Sequence, residues 1–259
     1  MSGEKMNKQF YVIIPARYDS TRLPGKPLAE ISGLPMIIRV AKNAGKSGAT
    51  SVTVATDDQR IESVVNQYDY HCIMTKTSHQ SGTDRIVEAS KQLGLSDDAI
   101  VVNVQGDEPE IEPKLIKELA EHLSDNPAVE VATVCKKLNR FEDFIDRNIV
   151  KAVLDKNKHA LYFSRAPIPW ARDEFSIDTE TIPEDLPVFH HIGIYAYRNS
   201  FLKRYGKLTK PKIEFYEKLE QLRIIWNGYN IACLITSRKI GHGIDTIRDL
   251  EEINRKNIK

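Results

Sequence analysis

Continuous apolar runs punctuate the first half of the chain at Phe10–Pro15 (FYVIIP), Ser51–Thr56 (SVTVAT), Tyr70–Thr75 (YHCIMT) and Ile100–Gln105 (IVVNVQ). Runs with no polar alternate mark strands covered on both faces. Between them, Pro35–Lys46, Gln59–Gln67, Asp84–Leu93 and Pro113–Leu123 repeat apolar residues at helical spacing. The alternation predicts an α/β fold, βαβαβαβ, with a mainly parallel sheet.

After about residue 126 the rhythm changes. Val129–Lys137, Ile149–Asp155 and His191–Arg198 are strand-like but more mixed in polarity, with longer connections. They predict a smaller lobe over about 129–200 within a single domain spanning 9–259. From Asp173 to Glu184 lie five acidic residues, and Pro183 and Pro187 add two prolines, which predicts an exposed loop. Helical spacing returns over Ile213–Trp226 and Arg248–Lys256.

Composition narrows the function classes. The 259 residues carry 37 basic and 36 acidic side chains, a formal net charge of +1, so nothing global suits a nucleic-acid surface or an anionic membrane. The cysteines Cys72, Cys135 and Cys233 are too far apart for a zinc pair or a redox C-x-x-C, and read as reduced thiols. The polar start, Met1 to Lys8, has no apolar targeting core, and no later stretch approaches the ~20 apolar residues of a membrane span, so a cytoplasmic location without membrane insertion is expected. Either Met1 or Met6 can serve as the start.

The candidate chemistry begins directly after the first strand, in I-P-A-R-Y-D-S-T-R-L-P-G-K-P from Ile14 to Pro27. In an open α/β sheet, ligands bind beyond the carboxyl ends of the strands. This loop carries Arg17, Arg22 and Lys26 to that edge, and phosphate oxygens are their natural counter-charge. It is neither a Walker loop, since Ser20 stands where the first glycine belongs and Pro27 follows Lys26, nor a Rossmann G-x-G-x-x-G. Taken alone, three cations also describe a solvated basic loop.

Two carboxylates complete the pattern. Asp107 follows Gly106 in N-V-Q-G-D-E-P at the end of the fourth apolar run. Facing bound phosphates, it would repel them unless a divalent cation lay between, and magnesium typically takes one or two carboxylates plus substrate phosphates and water. Asp245 lies in G-H-G-I-D-T, where Thr246 and Asp249 form a capping-box-like helix start. If that segment folds back to the sheet edge, Asp107 and Asp245 form a metal-binding pair.

Several longer segments go beyond such local readings. The Ile14–Pro27 loop, V-A-T-D at Val54–Asp57, H-Q-S-G-T-D-R at His79–Arg85, V-Q-G-D-E-P at Val104–Pro109, A-L-Y-F-S-R-A-P-I-P-W at Ala160–Trp170, H-I-G-I-Y at His191–Tyr195 and L-E-Q-L-R at Leu219–Arg223 together resemble the 3-deoxy-manno-octulosonate cytidylyltransferases, or CMP-Kdo synthetases. The resemblance runs from about residue 10 to about 252. His190 departs from the pattern, where the family carries Lys or Arg, and the acidic segment 173–184 and the N-terminal extension are additions.

The resemblance implies a Rossmann-like nucleotidyltransferase fold with a small dimerisation lobe, and an enzyme that joins CMP from CTP to the anomeric hydroxyl of the eight-carbon sugar acid Kdo, releasing pyrophosphate and giving CMP-Kdo for lipopolysaccharide synthesis. It implies Mg2+ and a homodimer. Ala16, Arg17, Arg22 and Lys26 would hold the triphosphate, and Met74, Thr75, Ser81, Gly82 and Thr83 would line the cytosine pocket. Arg85, Gln105, His191, Glu220 and Gln221 would contact the sugar acid, with Glu217 on the same helix face as Glu220 and Gln221. Asp107 and Asp245 would hold the metal, and with Lys26 and Arg22 form the catalytic set. The alternative substrate is the 8-amino relative of Kdo or another acidic sugar, with the same chemistry. His191, on a strand, also suits a hydrogen-bonded core histidine, and Tyr162, Phe163, Trp170, Tyr195 and Trp226 read as packing residues.

Overall fold

A computed structural model describes residues 9–20, 23–177, 181–241 and 243–257. Its first half runs β1 (Phe10–Ala16), a 3-10 turn at Lys26–Leu28, the short hairpin β2 (Glu30–Ile31) and β3 (Leu34–Pro35), then α1 (Met36–Gly45), β4 (Ser51–Thr56), α2 (Gln59–Gln67), β5 (His71–Met74), α3 (Gly82–Gln92), β6 (Ile100–Asn103) and α4 (Pro113–Asp125). The second half holds β7 (Val131–Lys137), α5 (Phe141–Ile145), β8 (Lys151–Leu154), β9 (Ala160–Ser164), α6 (Glu174–Ile177), β10 (Phe189–Arg198), α7 (Asn199–Tyr205), α8 (Lys212–Glu217), α9 (Gln221–Trp226), β11 (Ile231–Ile235) and α10 (Ile247–Asn257).

The chain divides into two compact units. The first takes the residues up to Asp125, Ala196–Gly206 and the stretch from Lys239; the second takes Asn126–Tyr195 and Lys207–Arg238.

In the first unit β1 pairs in parallel with both β4 and β6, and β4 with β5, giving the order β6-β1-β4-β5. Val12, Ile13 and Ile14 of β1 are fully buried, as an unbroken apolar run requires. Strand order reverses direction at β1, so the crevice between the ends of β1 and β6 is the topological switch point of this sheet. Buried Met36, Ile37, Ile38, Val40, Ala41 and Ala44 make the inner face of α1, at the spacing that predicts it. A smaller cluster of Leu23, Ile31, Met36, Ile244 and Ile253 ties α10 to the segment that follows the basic loop.

In the second unit β7 pairs in parallel with β11, while β8 runs antiparallel to β9 and β10. Two expectations are corrected here. The stretch 213–226 is two helices rather than one: Lys218, at φ 54° and ψ 45°, is in the left-handed conformation and ends α8. Arg223 of α9 donates from Nε to Glu214 Oε2 of α8 at 2.8 Å, holding the two short helices together across the break. The acidic segment is no plain exposed loop either: Asp178 and Glu180 lie outside the described residues, but Phe175 of α6 is buried in a cluster with Leu138, Phe144, Ala171 and Val188, and Ile182 packs on it. Of the five aromatic residues, Phe163 and Tyr195 are buried, whereas Trp170 and Trp226 are more than half exposed. Trp170 still packs on Phe175, the rings tilted at 58° with centres 4.7 Å apart.

Candidate active site

The basic loop leaves β1 at Ala16, whose backbone pairs with Thr56 of β4. It turns at Gly25, in the left-handed region at φ 69°, where the N–H donates to the Tyr18 carbonyl at 3.0 Å and a Cβ would crowd the Tyr18 ring. Arg22 lies outside the described residues. Arg17 reaches sideways, donating from Nη2 to the His79 carbonyl at 2.5 Å.

Lys26 sits at the centre of the site. Its Nζ lies 2.5 Å from Asp107 Oδ2 and 3.0 Å from Asp245 Oδ1. The two carboxylates expected to converge do so, and each has a partner in the same ammonium. Burial alone would lower the pKa of Lys26, but the attraction and hydrogen bonds of Asp107 and Asp245 outweigh it and the net shift is upward. Asp107 arrives because Gly106 lets the chain pass the end of β1: a Cβ at Gly106 would stand 2.9 Å from the Pro15 carbonyl oxygen. Asp245 arrives because Ile244, almost fully buried, donates its N–H to the Asp107 carbonyl at 2.9 Å. The capping box forms as expected, with Thr246 Oγ1 accepting the Asp249 N–H at 3.2 Å and Asp249 Oδ2 accepting the Thr246 N–H at 2.8 Å. That leaves the Asp245 side chain directed to Lys26 rather than spent as a cap.

Asp107 and Asp245 remain partly exposed, at 31% and 45%. Two accessible carboxylates on one point suit a hard divalent cation. Among the described residues no three His, Cys, Asp or Glu side chains converge as a metal cluster, so an ion here would draw its other ligands from substrate and water. Glu108 is a site residue that the sequence does not single out. Burial pushes its carboxyl up to about 8, with repulsion from Asp107 and Asp245 adding to the effect and the charge of Lys26 opposing it.

At the edge of β5, Ser81 is the N-cap of α3, its Oγ accepting the Asp84 N–H at 3.1 Å. Ser81, Gly82 and Thr83 thus form the start of a helix, and Ser81 and Thr83 are buried. Thr75 Oγ1 donates to the Thr56 carbonyl at 3.0 Å, and the Met74 carbonyl accepts from Gln92 Nε2, also at 3.0 Å. Arg85 is fully enclosed, bonded to Thr75 Oγ1 and, from Nη2 at 2.6 Å, to Asp57 Oδ2. It ties α3 to the ends of β4 and β5; its own Nε has no hydrogen-bond partner among the described residues. Gln105 extends from β6, its Nε2 lying 3.5 Å from Asn103 Oδ1.

The other expected sugar contacts belong to the second unit. His191 is buried on β10, with Nε2 3.1 Å from Thr133 Oγ1 and 2.9 Å from Tyr195 Oη, and with Phe163 edge-on at 4.8 Å. Burial lowers its pKa to about 3, helped by His190, so the imidazole is neutral at physiological pH. Glu217 and Glu220 do not share one helix face, because the break at Lys218 separates them. Glu217 instead accepts from Ser164 Oγ at 2.6 Å and from the Arg165 N–H at 2.9 Å. Gln221 opens α9 and is buried, with Nε2 lacking a hydrogen-bond partner among the described residues. A buried amide donor of this kind is costly without a ligand.

Known proteins are similar to this chain over nearly its whole length. A 3-deoxy-manno-octulosonate cytidylyltransferase from Neisseria meningitidis serogroup C (strain 053442) is 48% identical over 245 residues, covering 95% of this chain and 96% of that protein. A solved structure of CMP:2-keto-3-deoxy-manno-octonic acid synthetase complexed with CTP superposes with a TM-score of 0.87 at 39% identity, covering 97% of this chain and 99% of the other. A cytidylyltransferase from Leptospira borgpetersenii serovar Hardjo-bovis (strain JB197) has a TM-score of 0.60 at 17% identity, covering 95% and 85%, and shares the fold. The match to the Cytidylyltransferase family extends over residues 11–240, and with the Lys26, Asp107 and Asp245 cluster at the switch point of a parallel sheet, it identifies this chain as a member of that family.

Proposed function

We propose that the protein transfers CMP from CTP to the anomeric 2-hydroxyl of Kdo, giving CMP-Kdo and pyrophosphate. The observation that carries this reading is the convergence of Lys26, Asp107 and Asp245 in a chain 48% identical to a 3-deoxy-manno-octulosonate cytidylyltransferase. In the reaction the sugar hydroxyl oxygen bonds to the α-phosphorus, the bond to the β-phosphate's bridging oxygen breaks, and the hydroxyl proton goes to solvent or a nearby base. No protein nucleophile is needed.

Lys26 stays charged between its two carboxylates and offers that charge to the pyrophosphate as it leaves. Arg17 and Arg22 bind the triphosphate, and the start of α3 at Ser81–Thr83, with Met74 and Thr75, contacts cytosine. Asp107 and Asp245 would hold magnesium, which when bound supplies Lewis acidity toward the attacking hydroxyl and neutralises phosphate charge. Gln221 uses its unpartnered amide on the sugar acid, joined by Glu220 and by His191 as a neutral hydrogen-bonding ring. Arg85, enclosed on Thr75 and Asp57, acts instead by tying α3 to the strand ends, and Glu217 by holding Ser164 and Arg165. Holding both substrates in line supplies the larger share of the rate, since orientation alone is worth about 7–11 kcal/mol.

We also assign a cytoplasmic homodimer. Among the described residues no helix is long and apolar enough to cross a membrane. In the second unit Ile145, Leu161, Trp170, Phe215, Tyr216 and Trp226 are exposed, and a second copy covering some of them would bury apolar area. Light scattering on the purified protein measures the dimer directly.

The reaction is tested by pyrophosphate release from CTP against a panel of sugar acids, with and without magnesium. Kdo-dependent release that stops on chelation and returns with magnesium is expected. Release that is independent of Kdo, or faster with the 8-amino sugar, would reassign the substrate; equal turnover of ATP or GTP would overturn the cytosine pocket.

A further inference from the structure

Helix α3 does more than present its first turn. Two turns in, Glu88 reaches back to the loop that follows β5: its Oε2 accepts the Lys76 N–H at 3.0 Å and meets His79 Nε2 in a shorter contact. Gln92, one turn further, donates from Nε2 to the Met74 carbonyl at 3.0 Å and to Glu88 Oε1 at 3.3 Å. One helix face therefore grips the loop at Met74, Lys76 and His79. The grip continues, because the His79 carbonyl accepts from Arg17 Nη2 at 2.5 Å.

We propose that Glu88 is a positioning residue for the nucleotide: acting through His79, it fixes the loop 74–79 and holds the Arg17 guanidinium ready for CTP. The inference rests on the assignment of Arg17 to the triphosphate. An arginine on a loop has many rotamers to lose on binding, and a partner that orders it beforehand removes that loss from the binding step. Glu88 and His79 are only 21% and 19% exposed, so solvent does not readily take over either side of the contact. Although burial alone would raise the Glu88 pKa, the bonds from Lys76 and His79 bring it below the ordinary value and keep the carboxylate charged.

Steady-state kinetics of E88A, H79A, the E88A/H79A double variant, E88Q and R17A test this. E88A and H79A are each expected to raise the KM for CTP about 10-fold, by analogy with outer-shell partners of other sites, leaving the KM for Kdo unchanged. The double variant should match the worse single one, because both remove one connection. E88Q keeps an acceptor for Lys76 and His79 and should restore most of the CTP affinity. A purely structural Glu88 would lower the melting temperature without a selective change in the KM for CTP. Should E88A fail to fold, H79A decides, since it leaves α3 whole. An unchanged KM for CTP in H79A and E88A beside a raised one in R17A overturns the inference alone; an unchanged KM in R17A overturns the reading of Arg17 and this inference with it.

Discussion

Gly106 and Pro15 approach so closely that a Cβ at Gly106 would stand 2.9 Å from the Pro15 carbonyl oxygen, which belongs to rigid β1 backbone. The contact carries the chain past β1 and delivers Asp107 beside Lys26. Gly106→Ala must therefore displace one of the two segments. We expect it to cost about 1–3 kcal/mol of stability, the usual range for overpacking, and to reduce kcat further because Asp107 moves with the backbone. Urea unfolding and CTP turnover on one preparation measure both, and a fully active variant would show that this approach does not set the site.

Asp107→Asn and Asp245→Asn should each abolish turnover while the protein stays folded. Each keeps the side-chain shape and removes one carboxylate from beside Lys26. Partly exposed ion pairs contribute only about 0–1 kcal/mol, so thermal melting should change little. Near-normal rates at saturating magnesium in either variant would refute the two-aspartate site.

Lys26→Ala should lower kcat by roughly 10²–10³ and raise the KM for CTP much less, because its charge matters most as pyrophosphate departs. The comparison is made at saturating Kdo. A change confined to KM would reassign Lys26 to ground-state binding.

His191 predicts a pH dependence of stability. Its folded pKa is about 3 against an ordinary 6.5, so between those values the unfolded chain binds a proton that the folded one does not. Its contribution is complete above pH 6.5 and declines as the pH falls from 6.5 toward 3. Urea midpoints between pH 7 and 4 should fall less steeply for His191→Gln than for the natural protein, and equal slopes would show that His191 does not carry this dependence.

The four strands of the first unit were legible because each is an apolar run, although β5 lies at the sheet edge and is only partly covered, and β4 and α2 match their expected bounds. The second unit was less so. Strand β11, IACLI, is as continuous an apolar run as β1 and is a strand that the sequence marks but the expectations above omit, whereas β9 and α7 are short, and a break at Lys218 has no sequence mark, since lysine has no preference for the left-handed region. At the site, local pattern placed Lys26 and Asp107 at one edge of the sheet through their strand-end positions, while Asp245 joined them only on the condition that the C-terminal segment folds back. What it could not supply was their mutual contact, the burial of Glu108, the closure of Arg85 on Asp57, or the link from Glu88 through His79 to Arg17. Those depend on which helix face meets which loop, a property of tertiary packing.

The contact between Lys26 and Asp245 joins residues 219 positions apart, and Ile253 packs with Leu23 and Met36 in the same return of the chain. Closing so long a loop costs chain entropy that the packing must offset. Asp245 therefore reaches Lys26 only while α10 stays packed beside the segment that follows the basic loop.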